Sequence, residues 1–291
     1  MLNVAKVYKQ PPLPFKGNKR MFMFEFHDII EQIKTKYDNK PVLFVDVFGG
    51  SGLLAHWTKR YYPQADVIFN DFDHYMERCN DWHSVELTRA CLTQRFGKKY
   101  KHHQEIKKHE DVEFINDMIR RKENPDLITL SSWLCYSSDT VKKTKQELID
   151  SKKYFSVPKT NITNPSDYFS DLIVINENAE DVKHFTDIIN KMNTRNLPIF
   201  YILDPPYLYN DKTGYDERFF TLYSSIGLIE WFLIDVDLMM FESEKARFDE
   251  ILRKLSNMNL LIMPKLKLFK HEARSSANSI TKEILMLKLT D

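Results

Sequence analysis

Leu197-Pro198-Ile199-Phe200-Tyr201-Ile202-Leu203-Asp204-Pro205-Pro206-Tyr207 decides how the rest of the chain is read. The apolar run from Ile199 to Leu203 is of the kind that fills a strand buried on both faces. It delivers an acid, two prolines and a tyrosine at its carboxyl end. Proline lacks the N–H that a sheet ladder needs, so the strand stops there and the backbone stiffens as it leaves the sheet. In open α/β sheets ligands bind just outside the carboxyl ends of strands. A bare Pro-Pro reads as a turn, whereas Asp-Pro-Pro-Tyr after a hydrophobic run reads as an active site.

A second buried-strand run lies upstream, Val42-Leu43-Phe44-Val45-Asp46-Val47-Phe48, and ends in Gly49-Gly50-Ser51-Gly52. The chain has seven glycines and three of them fall in these four positions. Glycine is needed where a strand turns sharply into a helix and where backbone approaches a ligand closely. A plain tight turn is the competing reading, and the third glycine of the dinucleotide fingerprint is missing. The next run, Ala65-Asp66-Val67-Ile68-Phe69, ends in Asn70-Asp71. An acid at the end of a second strand, roughly 20 residues past a glycine turn, is placed to bind ribose hydroxyls. Glycine loop and acid together point to a nucleoside-type pocket.

Helical spacing of Phe22, Phe26, Ile29, Ile30 and Ile33 precedes the first strand, behind a proline-rich entry loop at 11–20. From His74 to about Phe96 the pattern is helical. Residues 97–167 change character, richer in lysine and polar residues, and read as a mostly helical insertion, bounded at 94–167 or alternatively starting near residue 76. Sheet periodicity resumes at Leu172–Asn176, followed by a helix through Phe185, Ile188 and Ile189. After the central strand a helix is expected at about 219–233, then a strand at Leu238–Phe241 and one more helix. Two apolar runs, Asn259–Pro264 and Ile284–Leu289, read as a closing antiparallel pair. The fold class expected is α/β, a mostly parallel sheet with helices on both faces.

Composition sets the outer bounds. With 291 residues, 43% hydrophobic and 29% charged, the chain buries a real core. No apolar run is long enough to span a membrane, and the first residues lack a signal-peptide core, so a cytoplasmic location is expected. Cys79, Cys91 and Cys135 read as free thiols of a reducing compartment. A zinc site mixing them with His74, His83 or His102 would lack a ligand pair of the usual close spacing, and no metal is expected. Net charge is +1. Basic residues nevertheless gather at Arg95–His103, Lys107–His109, Lys142–Lys145 and Lys152–Phe155. Such stretches either follow a phosphate backbone or form solvated helix faces.

An exocyclic amine on a nucleobase suits the Asp204 constellation. Its lone pair is delocalised into the ring, so it is a poor nucleophile. A carboxylate at Asp204 and the main-chain carbonyl of Pro205 can each accept one amine hydrogen and aim the lone pair at an electrophile. Pro206 helps to fix that carbonyl's direction, and Tyr207 can stack on a base rotated out of its helix. A sulfonium methyl group as electrophile needs no metal, and catalysis is then mostly alignment and charge placement. No Pro-Cys dipeptide and no phosphate-binding loop supply a rival chemistry.

These residues resemble those of the Dam-like (D12 class) adenine-N6 DNA methyltransferases. Phe48-Gly49-Gly50-Ser51-Gly52 fits their FxGxG cofactor loop and Asp204-Pro205-Pro206-Tyr207 their catalytic motif. Phe15-Lys16-Gly17-Asn18-Lys19 looks like their N-terminal cofactor motif, Asn70-Asp71 like their ribose-binding acid, and Glu180-Asp181 like the acid ahead of the catalytic strand. Tyr215, Phe220-Thr221 and Lys282–Leu285 fit later parts of the pattern.

The resemblance implies a Rossmann-like class I methyltransferase fold, with residues 1–93 and 168–291 as catalytic domain and 94–167 as DNA target-recognition domain. It also implies S-adenosyl-L-methionine as methyl donor, held by Phe15, Lys19, Asp46, Phe48, Gly50, Gly52, Asp71, Asp181 and Asp204. The partner expected is double-stranded DNA, and the protein itself a monomer or weak homodimer. The recognition segment departs from the family. Trp133-Leu134-Cys135-Tyr136 stands where an arginine-aromatic-glycine-asparagine stretch is usual, and Lys159-Thr160 replaces Phe-Gly after Val157-Pro158, so a GATC target does not carry over. Phe241-Glu242-Ser243 stands where a Ser-Asn pair is common. Cytosine N4, an RNA base amine, a glutamine side chain and an inactive DNA-binding relative are the rival readings.

Overall fold

Two apolar segments buried on both faces place the centre of the sheet. β1 (Leu43–Asp46) and β6 (Ile199–Leu203) pair in parallel, with Phe44 opposite Phe200 and Asp46 opposite Ile202. The computed structural model describes residues 6–15, 17, 19–101, 104–135, 141–151, 153–155, 162, 164–205, 222–243, 248–258, 265–276 and 279–290. Side chains alternate across a strand, and the core divides accordingly. Phe44, Phe200 and Ile202 face one cluster, while Leu43, Val45, Tyr201 and Leu203 face the other.

The first cluster is closed by α1 (Met23–Lys36) and α2 (Leu53–Tyr61). Phe26, Ile29, Ile30 and Ile33 recur at the spacing of one helical stripe and are all buried. The second cluster is closed by α8 (Val182–Met192), α9 (Leu222–Leu233) and α10 (Phe248–Asn257), with Phe185, Trp231 and Leu252 fully buried.

Around the central pair stand β2 (Asp66–Asn70), β5 (Ile173–Ile175), β7 (Asp237–Ser243), β8 (Leu266–Ser276) and β9 (Ser279–Lys288). The sheet order is β5-β2-β1-β6-β7-β9-β8, parallel from β5 to β7, with β9 antiparallel to both its neighbours, β7 and β8. This is the doubly wound, Rossmann-like arrangement expected. Its crevice lies at the carboxyl ends of β1 and β6, where the strand order reverses.

The residues between β2 and β5 hold α3 (Tyr75–Asn80), α4 (Trp82–Phe96), α5 (His109–Arg121), α6 (Leu127–Leu134) and α7 (Lys145–Asp150). They also hold a ribbon of two short strands, β3 (Glu105–Ile106) and β4 (Tyr154–Phe155), paired antiparallel. The described part of 94–167 is therefore mostly helical, as its composition suggests, with a small ribbon added.

One expectation is refined and one corrected. The stretch from His74 to Phe96 is helical as expected and divides into two helices at Asp81. Asn and Asp are poor helix formers, and Asp81 makes no side-chain capping hydrogen bond. In the closing pair, the partner of β9 is the lysine-bearing stretch Leu266–Ser276. As the edge strand it has one half-exposed face, and charged side chains are what such an edge carries. The run Asn259–Pro264 lies outside the described residues.

A buried carboxylate fastens the far end of the sheet. Asp237 at the start of β7 accepts Lys36 Nζ at 2.7 Å, Tyr37 Oη at 2.6 Å and the Thr290 N–H at 2.8 Å. Burial pushes its carboxyl up, but the Lys36 and Tyr37 hydrogen bonds outweigh that and leave it below the usual carboxylate range. This joins α1, β7 and the last residues of the chain at the end of the sheet away from the crevice.

Candidate active site

Asp46 and Asp204 leave neighbouring strands at the same edge, because β1 and β6 are parallel and in register. Asp46 is fully buried and Asp204 retains 18% side-chain exposure. Lys19 Nζ sits 2.8 Å from Asp204 Oδ1 and donates to the Gly17 carbonyl at 2.7 Å. The lysine is buried and lies over the ring of Phe241, which in turn packs edge-on against Phe22 at 5.2 Å. The entry turn Arg20–Phe22 and the end of β7 thus hold the ammonium group at Asp204.

Charge in this crevice is unusual. Burial pushes the Asp204 carboxyl up to about 6, against the opposing pull of Lys19, and Glu283 adds to the rise. Burial and the neighbouring Asp204 push Asp46 up to about 8, although the Ala55 amide and Lys19 work against it. Asp46 Oδ2 accepts the Ala55 N–H at 3.2 Å at the start of α2. Asp46 Oδ1 is buried and has no hydrogen-bond partner among the described residues.

The glycine loop follows Asp46. Gly50 and Gly52 adopt φ of +50° and +70°, the left-handed region that side chains resist. A Cβ at Gly50 would lie 2.9 Å from the Phe15 ring, so that ring rests against the loop backbone. Phe15 is delivered by tethers upstream of it. The Tyr75 hydroxyl accepts the Leu13 N–H at 2.9 Å and donates to the Leu13 carbonyl at 2.7 Å, and the Tyr75 ring meets Phe15 edge-on at 5.5 Å. Further upstream, His56 Nε2 accepts the Tyr8 N–H at 3.0 Å and Trp57 Nε1 donates to the Tyr8 carbonyl at 2.8 Å. Burial lowers His56 to about 4, so it is neutral; with Nε2 accepting, Nδ1–H donates to the Tyr168 carbonyl at 2.8 Å.

Other residues singled out in the sequence are placed as follows. Asp71 is buried, and its two oxygens accept the amides of Tyr75 at 2.7 Å and Met76 at 3.0 Å, starting α3. Burial raises its carboxyl. Asp181 is exposed and caps α8 by accepting the His184 N–H at 2.9 Å. Phe48 packs partly buried against the second core cluster, and Pro205 is buried. Pro206, Tyr207, Tyr215, Phe220-Thr221 and the Val157–Thr160 segment lie outside the described residues.

Two residues given no role of their own by the sequence, Asn70 and Tyr75, help to build the site. Asn70 Nδ2 donates to the carbonyls of Val47 and Glu177, each at 2.9 Å, and Oδ1 accepts the Glu177 N–H at 2.8 Å. That stitches together the exits of β1, β2 and β5. An asparagine at a buried strand end, just before an acid, was the available signal. Tyr75 had none.

The basic stretches divide. Lys99 Nζ at 3.0 Å, Arg95 at 3.5 Å and the Tyr100 hydroxyl at 2.9 Å all hold the buried Asp111. Burial raises that carboxyl, and these partners more than offset it. Lys145 Nζ donates to the Lys122 carbonyl. Lys98, Lys101, Lys107, Lys108, Lys143 and Lys153 are exposed.

A doubly wound sheet, a glycine loop after its first strand and an acid-proline exit from its fourth parallel strand in the order together define the Rossmann-like methyltransferase class. The sequence pattern of the D12 class N6 adenine-specific DNA methyltransferase family matches residues 15–283, and the chain belongs to that family. A Haemophilus influenzae protein described as "Putative methyltransferase" is 33% identical over 249 residues, covering 84% of this chain and 79% of that one. Among solved structures, a Streptococcus thermophilus rRNA methylase aligns with 89% of this chain and 96% of its own at 11% identity. Its TM-score of 0.32 is too low to bear on fold or substrate.

Proposed function

We propose that the protein transfers a methyl group from S-adenosyl-L-methionine to the exocyclic N6 of adenine in double-stranded DNA, acting on a base rotated out of the duplex. The observation that carries this reading is the placement of Asp204. It is a partly exposed carboxylate at the carboxyl edge of β6, beside the glycine loop and held by Lys19. Family membership supplies the reaction type.

The crevice fits the cofactor on its own chemistry. Asp46 Oδ1 is buried without a hydrogen-bond partner among the described residues, and the Asp46 carboxyl and the Asp204 carboxylate lie near one lysine. A ligand carrying an ammonium and a sulfonium group would favour the ionised form of both acids and draw the Asp46 proton off. Gly50 and Gly52 leave the loop backbone bare for close approach, and the Phe15 ring gives a nucleoside an apolar wall. Phe48 and Lys19 are read as further members of the cofactor pocket. Asp71, with a lone pair left on each oxygen, and Asp181 are read as meeting the sugar and the base of the cofactor. Bound there, S-adenosyl-L-methionine supplies a methyl carbon on sulfur open to in-line displacement.

The chain's own residues do the rest. Asp204 and the Pro205 carbonyl each accept a hydrogen of the adenine amine, drawing its lone pair out of the ring. Tyr207 stacks on the extruded base. Lys19 keeps Asp204 ionised and fixes its direction. A carboxylate pushed up to about 6 remains ionised at neutral pH, yet is basic enough to receive the proton that N6 sheds once methylated. Residues 94–167, inserted between β2 and β5, are read as the DNA target-recognition domain, with the exposed lysines along the duplex. Incubation with duplex DNA and cofactor, then digestion and mass analysis of nucleosides, tests the reading. N6-methyladenine is expected, and N4-methylcytosine in its place would overturn it.

A further inference from the structure

The β8–β9 hairpin is longer than the sheet it closes. β7 runs parallel to β6, so its end at Ser243 lies on the crevice side, and Ser243 pairs with Glu283 of β9. Beyond that pair the hairpin continues through Glu272–Lys282, Ala273–Thr281, Arg274–Ile280 and Ser276–Ser279. Among the described residues these pairs have no β7 neighbour. At about 3.3 Å per residue, the stretch from Glu283 to Ser279 rises about 13 Å past Ser243, the last described residue of β7. A register shift between Arg274 and Ser276 interrupts the ladder near its tip, as bulges do where a ribbon bends.

The base of this ribbon stands close enough to the site for Glu283 to raise the Asp204 carboxyl. It rises from the opposite end of the sheet order to the β2–β5 insertion, with β1 and β6 between them. Residues 272–282 read Glu-Ala-Arg-Ser-Ser-Ala-Asn-Ser-Ile-Thr-Lys. Hydroxyl, amide and cationic side chains predominate and aromatic ones are absent. Those are the groups that meet phosphates and base edges, whereas protein interfaces are anchored by aromatic residues. A two-stranded ribbon fits the major groove of duplex DNA.

We infer that the projecting end of the β8–β9 hairpin is a second DNA-contacting element, gripping duplex DNA from the side of the crevice opposite the insertion. This rests on the duplex-DNA substrate proposed above. Lysines on an edge strand also discourage sheet-to-sheet pairing, but that role does not require the ribbon to extend past the catalytic edge.

The test replaces residues 273–281 with Asn-Gly, a turn that joins Glu272 and Lys282 at their existing pairing. Arg274→Ala with Lys282→Ala is the milder variant. Duplex binding is followed by fluorescence anisotropy at several salt concentrations, with melting temperature and cofactor affinity measured alongside. The shortened chain is expected to bind duplex DNA on the order of tenfold more weakly, with a salt slope reduced by about one to two. Cofactor affinity and the methylated base are expected to stay the same. An unchanged affinity and slope in both variants would overturn the inference. So would a loss confined to single-stranded RNA. If the unaltered chain binds no duplex DNA at any salt, the substrate reading itself fails; if it binds and the variants match it, only the ribbon's role fails.

Discussion

Replacing Lys19 with methionine removes the ammonium group that sits 2.8 Å from Asp204 Oδ1. Burial alone drives the carboxyl upward, and Lys19 holds it back to about 6. An opposite charge at this range shifts a carboxylate by about 1–3 pH units. Without it, Asp204 titrates at about 7–9. If the shift is two units, the ionised fraction at pH 7.5 falls to roughly a quarter. Amine activation needs the ionised form, so the acid limb of the single-turnover rate moves from near pH 6 to higher pH. With saturating cofactor and DNA the rate returns as pH approaches 9.5, and that recovery separates lost charge from a lost fold. Lys19→Arg keeps the charge and leaves the limb near 6. An identical limb in Lys19→Met and the unaltered chain would refute the coupling.

Three further outcomes follow from the crevice and the insertion. Gly50→Ala forces a side chain into φ +50° and to 2.9 Å from Phe15. The backbone cost alone is about 1–2 kcal/mol, so calorimetry should show cofactor affinity reduced on the order of tenfold, partly restored by Phe15→Leu; undiminished affinity would remove the loop from the cofactor site. Asp46 holds its proton to about pH 8 when folded and to about 3.8 when unfolded. The folded state therefore binds the extra proton in that window, and stability falls as pH rises through it, by roughly 4 kcal/mol between pH 4 and 7 at most. Asp46→Asn should flatten that slope in urea unfolding, and equal slopes would mean that Asp46 is ionised in the fold. Lys99→Ala should lower stability by about 1 kcal/mol, its exposed half discounting the pair with buried Asp111, whereas Lys98→Ala should leave the melting temperature alone and weaken duplex binding.

The parts of the fold that the sequence made legible are those governed by local rules. β1 and β6 are apolar on both faces because helices cover both faces, and a continuous hydrophobic run says so directly. Gly50 and Gly52 stand where the strand-to-helix turn needs positive φ. What stayed hidden depends on distant partners. The strand Leu266–Ser276 alternates lysine with apolar residues, and only its place at the sheet edge explains that pattern. The break at Asp81 competes with a good helical stripe on either side. Arg95 and Lys99 read as phosphate-binding cations until Asp111 is seen fully buried between them. The Lys19–Asp204 ion pair joins the two ends of the motif order, and no local spacing announces it. Resemblance had already set both residues at the site.

The most direct measurement is the single-turnover rate of methyl transfer to duplex DNA by Asp204→Asn, with cofactor and DNA affinities measured on the same preparation. The side chain keeps its shape but loses the charge that accepts the amine hydrogen. Affinities near those of the unaltered chain are expected, with a rate lower by on the order of a hundredfold or more. A rate within twofold of the unaltered chain, at the pH where Asp204 is ionised, would contradict the role given to that carboxylate.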